Sequence, residues 1–107
     1  MATEEIDGLS VDLDQLPPEL SDLAPEVRRW AVRDEGELAQ RVEAATTDEL
    51  AAFWLRASQE FPAIKAYLDA NVEGSPSNEA LVLGATAEAA LAAAAEIERR
   101  TGQRPGE

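Results

Sequence analysis

Residues 80–95 are apolar apart from Gly84, Thr86 and Glu88, and most of them are alanine. The helix that carries them is expected to start near Pro76 or Asn78, with Ser75 or Ser77 as N-cap, and to reach Arg100. Arg99 and Arg100 suit the negative end of the helix dipole, and Gly102 acts as a stop. Leu83, Ala87, Ala90, Leu91, Ala94 and Ile97 line one face. Leu81, Val82, Ala85, Ala89, Ala92, Ala93 and Ala95 leave little polar surface on the others. A helix apolar nearly all round must be covered on several sides, by the rest of the chain or by a second copy of it. Alanine yields little burial energy per residue, so tight packing on more than one side is expected, and a homodimer through this helix is an alternative to an intrachain bundle. As a membrane span the apolar run reads as too short and too weakly apolar, so no membrane is expected as a partner.

The chain ahead of this helix supplies its cover. Pro18 suits the first turn of a short helix through Leu23, and Pro25 repeats the pattern for residues 25–33, which place Val27, Trp30 and Ala31 on one face. Asp34 with Glu37 reads as a capping box ahead of Leu38, Val42 and Ala45, and Thr46 with Glu49 repeats the signature. Leu50, Phe53, Trp54, Ala57 and Phe61 then recur at helical spacing, while Leu55 lies off that stripe and suggests cover on a second side. Pro62 forces a boundary or a kink, after which Ile64, Tyr67 and Leu68 mark a further inner face. Residues 71–77 are rich in turn formers and read as a loop. The expected fold is all-α: a compact bundle of four or five short helices around a long C-terminal helix. It forms one domain over residues 17–102, with a disordered tail over 103–107.

Residues 1–16 show no helical period. Leu9, Val11 and Leu13 alternate with Ser10, Asp12 and Asp14 as in a strand, but with no evident pairing partner the segment reads as an irregular, partly ordered acidic arm. Its charge is one-sided: the first 26 residues hold eight carboxylates and no Lys or Arg. Glu4, Glu5, Asp7, Asp12, Asp14, Glu19 and Asp22 are the candidate partner-binding residues, because uncompensated carboxylates attract a basic surface and repel polyanions. Arg28, Arg29 and Arg33 form the one basic cluster of note; flanked by Glu26, Asp34 and Glu35, they read as a self-neutralised helix surface placed to clasp the arm, not a nucleic-acid patch. On this reading, removing residues 1–16 leaves the helical body folded and slows association with a basic partner.

Composition narrows the chemistry. There is no His and no Cys, so the commonest general bases and nucleophiles, disulfides and thiolate metal sites are absent. Asp12 and Asp14 resemble the opening of a calcium loop, but the turn Gly and the closing Glu do not follow, so no metal or other cofactor is expected. Nor is there a phosphate loop or a nucleophile elbow. Enzymatic activity is not expected; a carboxylate-dependent enzyme or metal binder is the third reading. The acidic N-terminus lacks the basic and apolar regions of a secretory signal, so a cytoplasmic location is the expectation.

The leading expectation is thus a non-enzymatic acidic domain that binds a basic surface of a partner protein, as an immunity protein, an antitoxin-like inhibitor or a mimic of nucleic-acid charge would. The alternative is a small self-associating accessory domain whose net charge of -13 reflects its host, since one lysine against eight arginines is what a GC-rich genome writes.

Overall fold

The computed structural model describes residues 3–70, 74 and 76–105. It is an all-α bundle. Two short strands, β1 (Glu4–Ile6) and β2 (Leu9–Val11), and a single 3-10 turn (Leu13–Gln15) precede six helices: α1 (Pro18–Ser21), α2 (Ala24–Trp30), α3 (Glu35–Ala44), α4 (Thr47–Gln59), α5 (Phe61–Ala70) and α6 (Asn78–Thr101). The five shorter helices pack around α6, which touches α2, α3, α4, α5 and β2.

The caps explain the boundaries. Asp34 accepts a hydrogen bond from the Glu37 amide, and Thr46 with Glu49 closes a reciprocal capping box. Ser77 caps α6 through the Ala80 amide, and Gly102 ends it in a left-handed conformation at φ 78° that a residue with a Cβ adopts poorly. Pro62 enforces a boundary, not a kink: α4 ends at Gln59 and α5 begins at Phe61. The loop over 71–77 lies partly outside the described residues, as do the last two residues of the tail. Within the tail, Gln103 donates to Thr101 Oγ1 and Arg104 pairs with Glu98.

α6 is the spine of two adjoining cores. Val82, Leu83 and Ala85 in its first half pack with Leu20, Val27 and Ile64. Ala89, Ala90, Ala93 and Ile97 in its second half pack with Val42, Leu50 and Phe53. Phe61 packs against both groups. In the second core the Trp30 and Phe53 rings stack at 4.8 Å between centroids and 6° between planes. Small alanines on α6 let α4 approach closely, and that stack supplies the apolar area they lack.

Four expectations need correction. The N-terminal segment is not an irregular arm: β1 and β2 form an antiparallel hairpin in which Glu4 pairs with Val11 and Ile6 with Leu9, and Ile6, Val11, Leu13 and Leu16 are buried in the first core. The turn makes this possible. Asp7 and Gly8 have φ of 53° and 76°, the doubly left-handed geometry of a two-residue hairpin loop, which Asp tolerates and Gly favours. Leu55 is not covered on a second side but 60% exposed, and Leu91 leaves the inner face with 48% exposure. Finally, α6 at 24 residues, with a mean hydropathy of 1.6 over its most apolar window, is long and apolar enough to cross a membrane by length and composition; 56% of that window is buried in the bundle.

Candidate interaction surface

Of the seven candidate carboxylates, Glu4 and Glu5 lie on β1 and Asp7 in the hairpin turn, while Asp12 and Asp14 belong to the 3-10 turn, Glu19 to α1 and Asp22 to its C-terminal end. Glu4 lies on the inward face of β1 and meets the Arg28 guanidinium at 2.7 Å, which holds its carboxyl below the usual range. Asp7, in the turn, accepts from Arg33 Nε at 2.8 Å and from the Arg33 backbone amide at 3.1 Å; the Arg33 hydrogen bond lowers its pKa as well. Asp12 is buried: its carboxylate caps the 3-10 turn by accepting from the Asp14 amide, and its own amide donates to Glu79 Oε2 at 3.0 Å. These three belong to the architecture. Glu5, Asp14, Glu19 and Asp22 are exposed. Among the described residues none of these four has a cation within ion-pair distance, although Asp14 lies close enough to Arg28 to help raise its pKa. Asp22 engages the fold through its backbone, whose amide donates to the Leu20 carbonyl and whose carbonyl accepts from Arg56.

The clasp anticipated for the arginines is real and broader than the three residues singled out. All nine Lys and Arg side chains are ion-paired within the chain: Arg28, Arg29, Arg33, Arg41, Arg56, Lys65, Arg99, Arg100 and Arg104. Arg29 meets Glu49 at 2.7 Å while its guanidinium lies 4.8 Å above the Trp30 ring. Glu49 is held down to about 2, first by the Thr46 amide of its capping box and then by Arg29. With every cation engaged, the surplus charge of -13 is carried outward by the remaining acids.

Arg100 is the structural side chain that the sequence hid. It donates to the carbonyls of Val42, Glu43 and Ala45, to Thr47 Oγ1 and, at 2.7 Å, to Glu96. Those carbonyls end α3 and have no helical partner of their own, so one guanidinium closes α3 and ties the α3–α4 corner to α6. Spacing along α6 reveals only a basic last turn; the carbonyls it reaches are set by tertiary packing. Glu96 is held down to about 2 by Arg99 and then Arg100.

Two open grooves run beside α6. One, of about 610 Å³, lies between α3 and α6 and is lined by Leu38, Val42, Ala92 and Ala95 together with Glu35, Glu43, Glu96 and Arg99. The other, of about 480 Å³, is lined by Arg33, Leu68, Leu81, Gly84 and Glu88 and is bordered by Gly74 and Pro76 of the partly described loop. Among the described residues no group of three or more acids gathers closely enough to hold a metal ion. Searches against protein-family models, curated proteins and solved structures return no match for this chain.

Proposed function

We propose that this chain is an acidic protein-interaction domain that binds a basic surface of a partner protein, in the manner of an immunity protein, an antitoxin-like inhibitor or a mimic of nucleic-acid charge. The observation that carries the reading is the internal engagement of all nine cations, which leaves no unneutralised basic side chain for a polyanion and an excess of outward carboxylates. Of the acids singled out from the sequence, Glu5, Asp14, Glu19 and Asp22 are exposed and free of an ion pair among the described residues; Glu4, Asp7 and Asp12 hold the hairpin in place.

Charge of this kind acts on encounter more than on residence. It steers an oppositely charged partner over about 8–10 Å at physiological salt and adds specificity by rejecting acidic competitors. Affinity capture from a lysate at moderate salt, with the recovered proteins identified and their binding rates measured against salt, tests the proposal. Basic proteins whose association slows steeply as salt rises support it. Recovery of no protein partner, or of partners whose association is indifferent to salt, overturns it.

A further inference from the structure

Glu26 is a largely buried acid whose carboxylate the fold leaves half satisfied. Among the described residues its Oε2 is the only buried side-chain oxygen or nitrogen without a hydrogen-bond partner, and the side chain as a whole is 18% exposed. Buried carboxylate oxygens ordinarily accept hydrogen bonds, and one left without a donor is costly. Two other glutamates show the ordinary case. Glu96 is shared by two guanidiniums, those of Arg99 and Arg100, and Glu49 takes Arg29 at 2.7 Å together with the Thr46 amide at 2.9 Å. Glu26 has Arg56 alone, whose Nε stands 3.4 Å from Oε1, beyond the roughly 2.7–2.9 Å of a charge-assisted hydrogen bond.

Room for a second cation lies beside it. A cleft of about 280 Å³ between α2 and α4 is lined by Glu26 and Arg56 and by the apolar Pro25, Trp30, Ala52 and Phe53. Arg29 and Glu49, which also border it, neutralise each other. Arg56 is half exposed and makes its shorter contact elsewhere, donating from Nη2 to the Asp22 carbonyl at 2.6 Å. The charges in the cleft cancel, so the field an entering group meets is that of the whole molecule at -13, which favours a cation.

We infer that the cleft between α2 and α4 receives an arginine side chain of the basic partner, whose guanidinium donates to Glu26 Oε2 while its methylene stem lies along Pro25 and Ala52. Arg56 then moves towards the Asp22 carbonyl that it already holds. The inference rests on the acidic-domain reading and gives it an anchor point. Guanidinium suits the place because Arg56 shows that one reaches this carboxylate, and Glu96 shows that two can share one. A second copy is the poorer donor, since all nine of its own cations are already paired.

The test follows the amide resonances of the full chain by NMR as N-acetyl-arginine methylamide is added at low salt, with the citrulline analogue as its uncharged isostere. The arginine compound is expected to give saturable shifts on α2 and α4 around Glu26 and Ala52, and the citrulline compound to bind about tenfold more weakly. Glu26→Gln should weaken the arginine compound by a similar factor, while Glu5→Gln leaves it unchanged. Arg56→Gln removes the competing guanidinium and should tighten the arginine compound by about threefold or more, a gain that damage to the fold cannot produce. If both compounds bind equally, or the shifts centre on Glu5, Asp14 and Glu19 and ignore Glu26→Gln, the cleft is overturned and the acidic-domain reading stands. If Arg56→Gln binds no more tightly than the parent, the cleft is likewise overturned. If the arginine compound binds neither protein, the cleft is overturned and partner capture against salt decides the wider reading on its own.

Discussion

Deleting residues 1–16 should unfold this protein, and the structure gives the size of the effect. Ile6, Val11, Leu13 and Leu16 are 5%, 0%, 6% and 5% exposed, all within the core that surrounds the first half of α6. Burying an aliphatic side chain of this kind is worth about 1.5–3 kcal/mol, so the four together supply roughly 6–12 kcal/mol as an upper bound. A whole domain has about 5–15 kcal/mol of net stability. The deletion therefore removes as much as the fold holds in reserve, and it also uncovers Leu20, Val27 and Val82, which pack in the same core. Urea titration of the 17–107 fragment and the full chain, followed by helical circular dichroism and by fluorescence of the buried Trp30, is the direct assay. The fragment should lack a cooperative transition. Ile6→Ala in the full chain should cost about 2–5 kcal/mol, whereas Glu5→Gln, on the exposed face of the same strand, should stay within about 0.5 kcal/mol. A fragment that melts cooperatively at nearly the parental urea midpoint would refute the reasoning and return the hairpin to the status of an appendage.

Truncation of either stacked ring, Trp30→Ala or Phe53→Ala, should destabilise the second core by roughly 3–5 kcal/mol, read as a shift in urea midpoint at constant slope; a change under about 1 kcal/mol for both would show the stack to be peripheral. Arg100→Met keeps the length of the side chain but leaves the carbonyls of Val42, Glu43 and Ala45 without their donor, with an expected loss of about 1.5–3 kcal/mol and faster amide exchange at the α3–α4 corner; an unchanged exchange pattern would count against the latch. Acid should erode stability in a defined window. Glu49 and Glu96 are held from 4.5 down to about 2, and Glu4 and Asp7 are also lowered, so their contribution is complete above about pH 5 and disappears as pH falls from 4.5 towards 2. Urea midpoints measured across that range should decline, and Glu96→Gln should flatten the decline; midpoints that hold steady or rise down to pH 2.5 would contradict the assignment.

The helical part of the fold was legible because its signals are local. Asp34 with Glu37, Thr46 with Glu49, Pro62 and Gly102 fix helix ends through contacts spanning a few residues, and the stripe through Leu50, Phe53, Ala57 and Phe61 needs only helical geometry to be read. The hairpin signal was local too: Asp7-Gly8 between Ile6 and Leu9 is a strong marker of a two-residue turn, and it supplies the pairing strand that Leu9 and Val11 lacked. Alternation alone is weak in three-residue strands, and the many acids pointed to solvent, although the strand turns Glu4 inward and the 3-10 turn buries Asp12 as its cap. Leu55 and Leu91 misled for a different reason. A hydrophobic residue off the main stripe can face a second neighbour or nothing, and which holds depends on how many helices the chain has left to cover it.

Cover for α6 follows the same rule. A central helix apolar nearly all round demands cover, and this chain covers α6 with α2, α3, α4, α5 and β2 yet leaves Leu91 exposed. Alanine explains how that shortfall is tolerated. Ala92 and Ala95 expose little apolar area each, so this side of α6 borders water without the penalty that leucines there would carry.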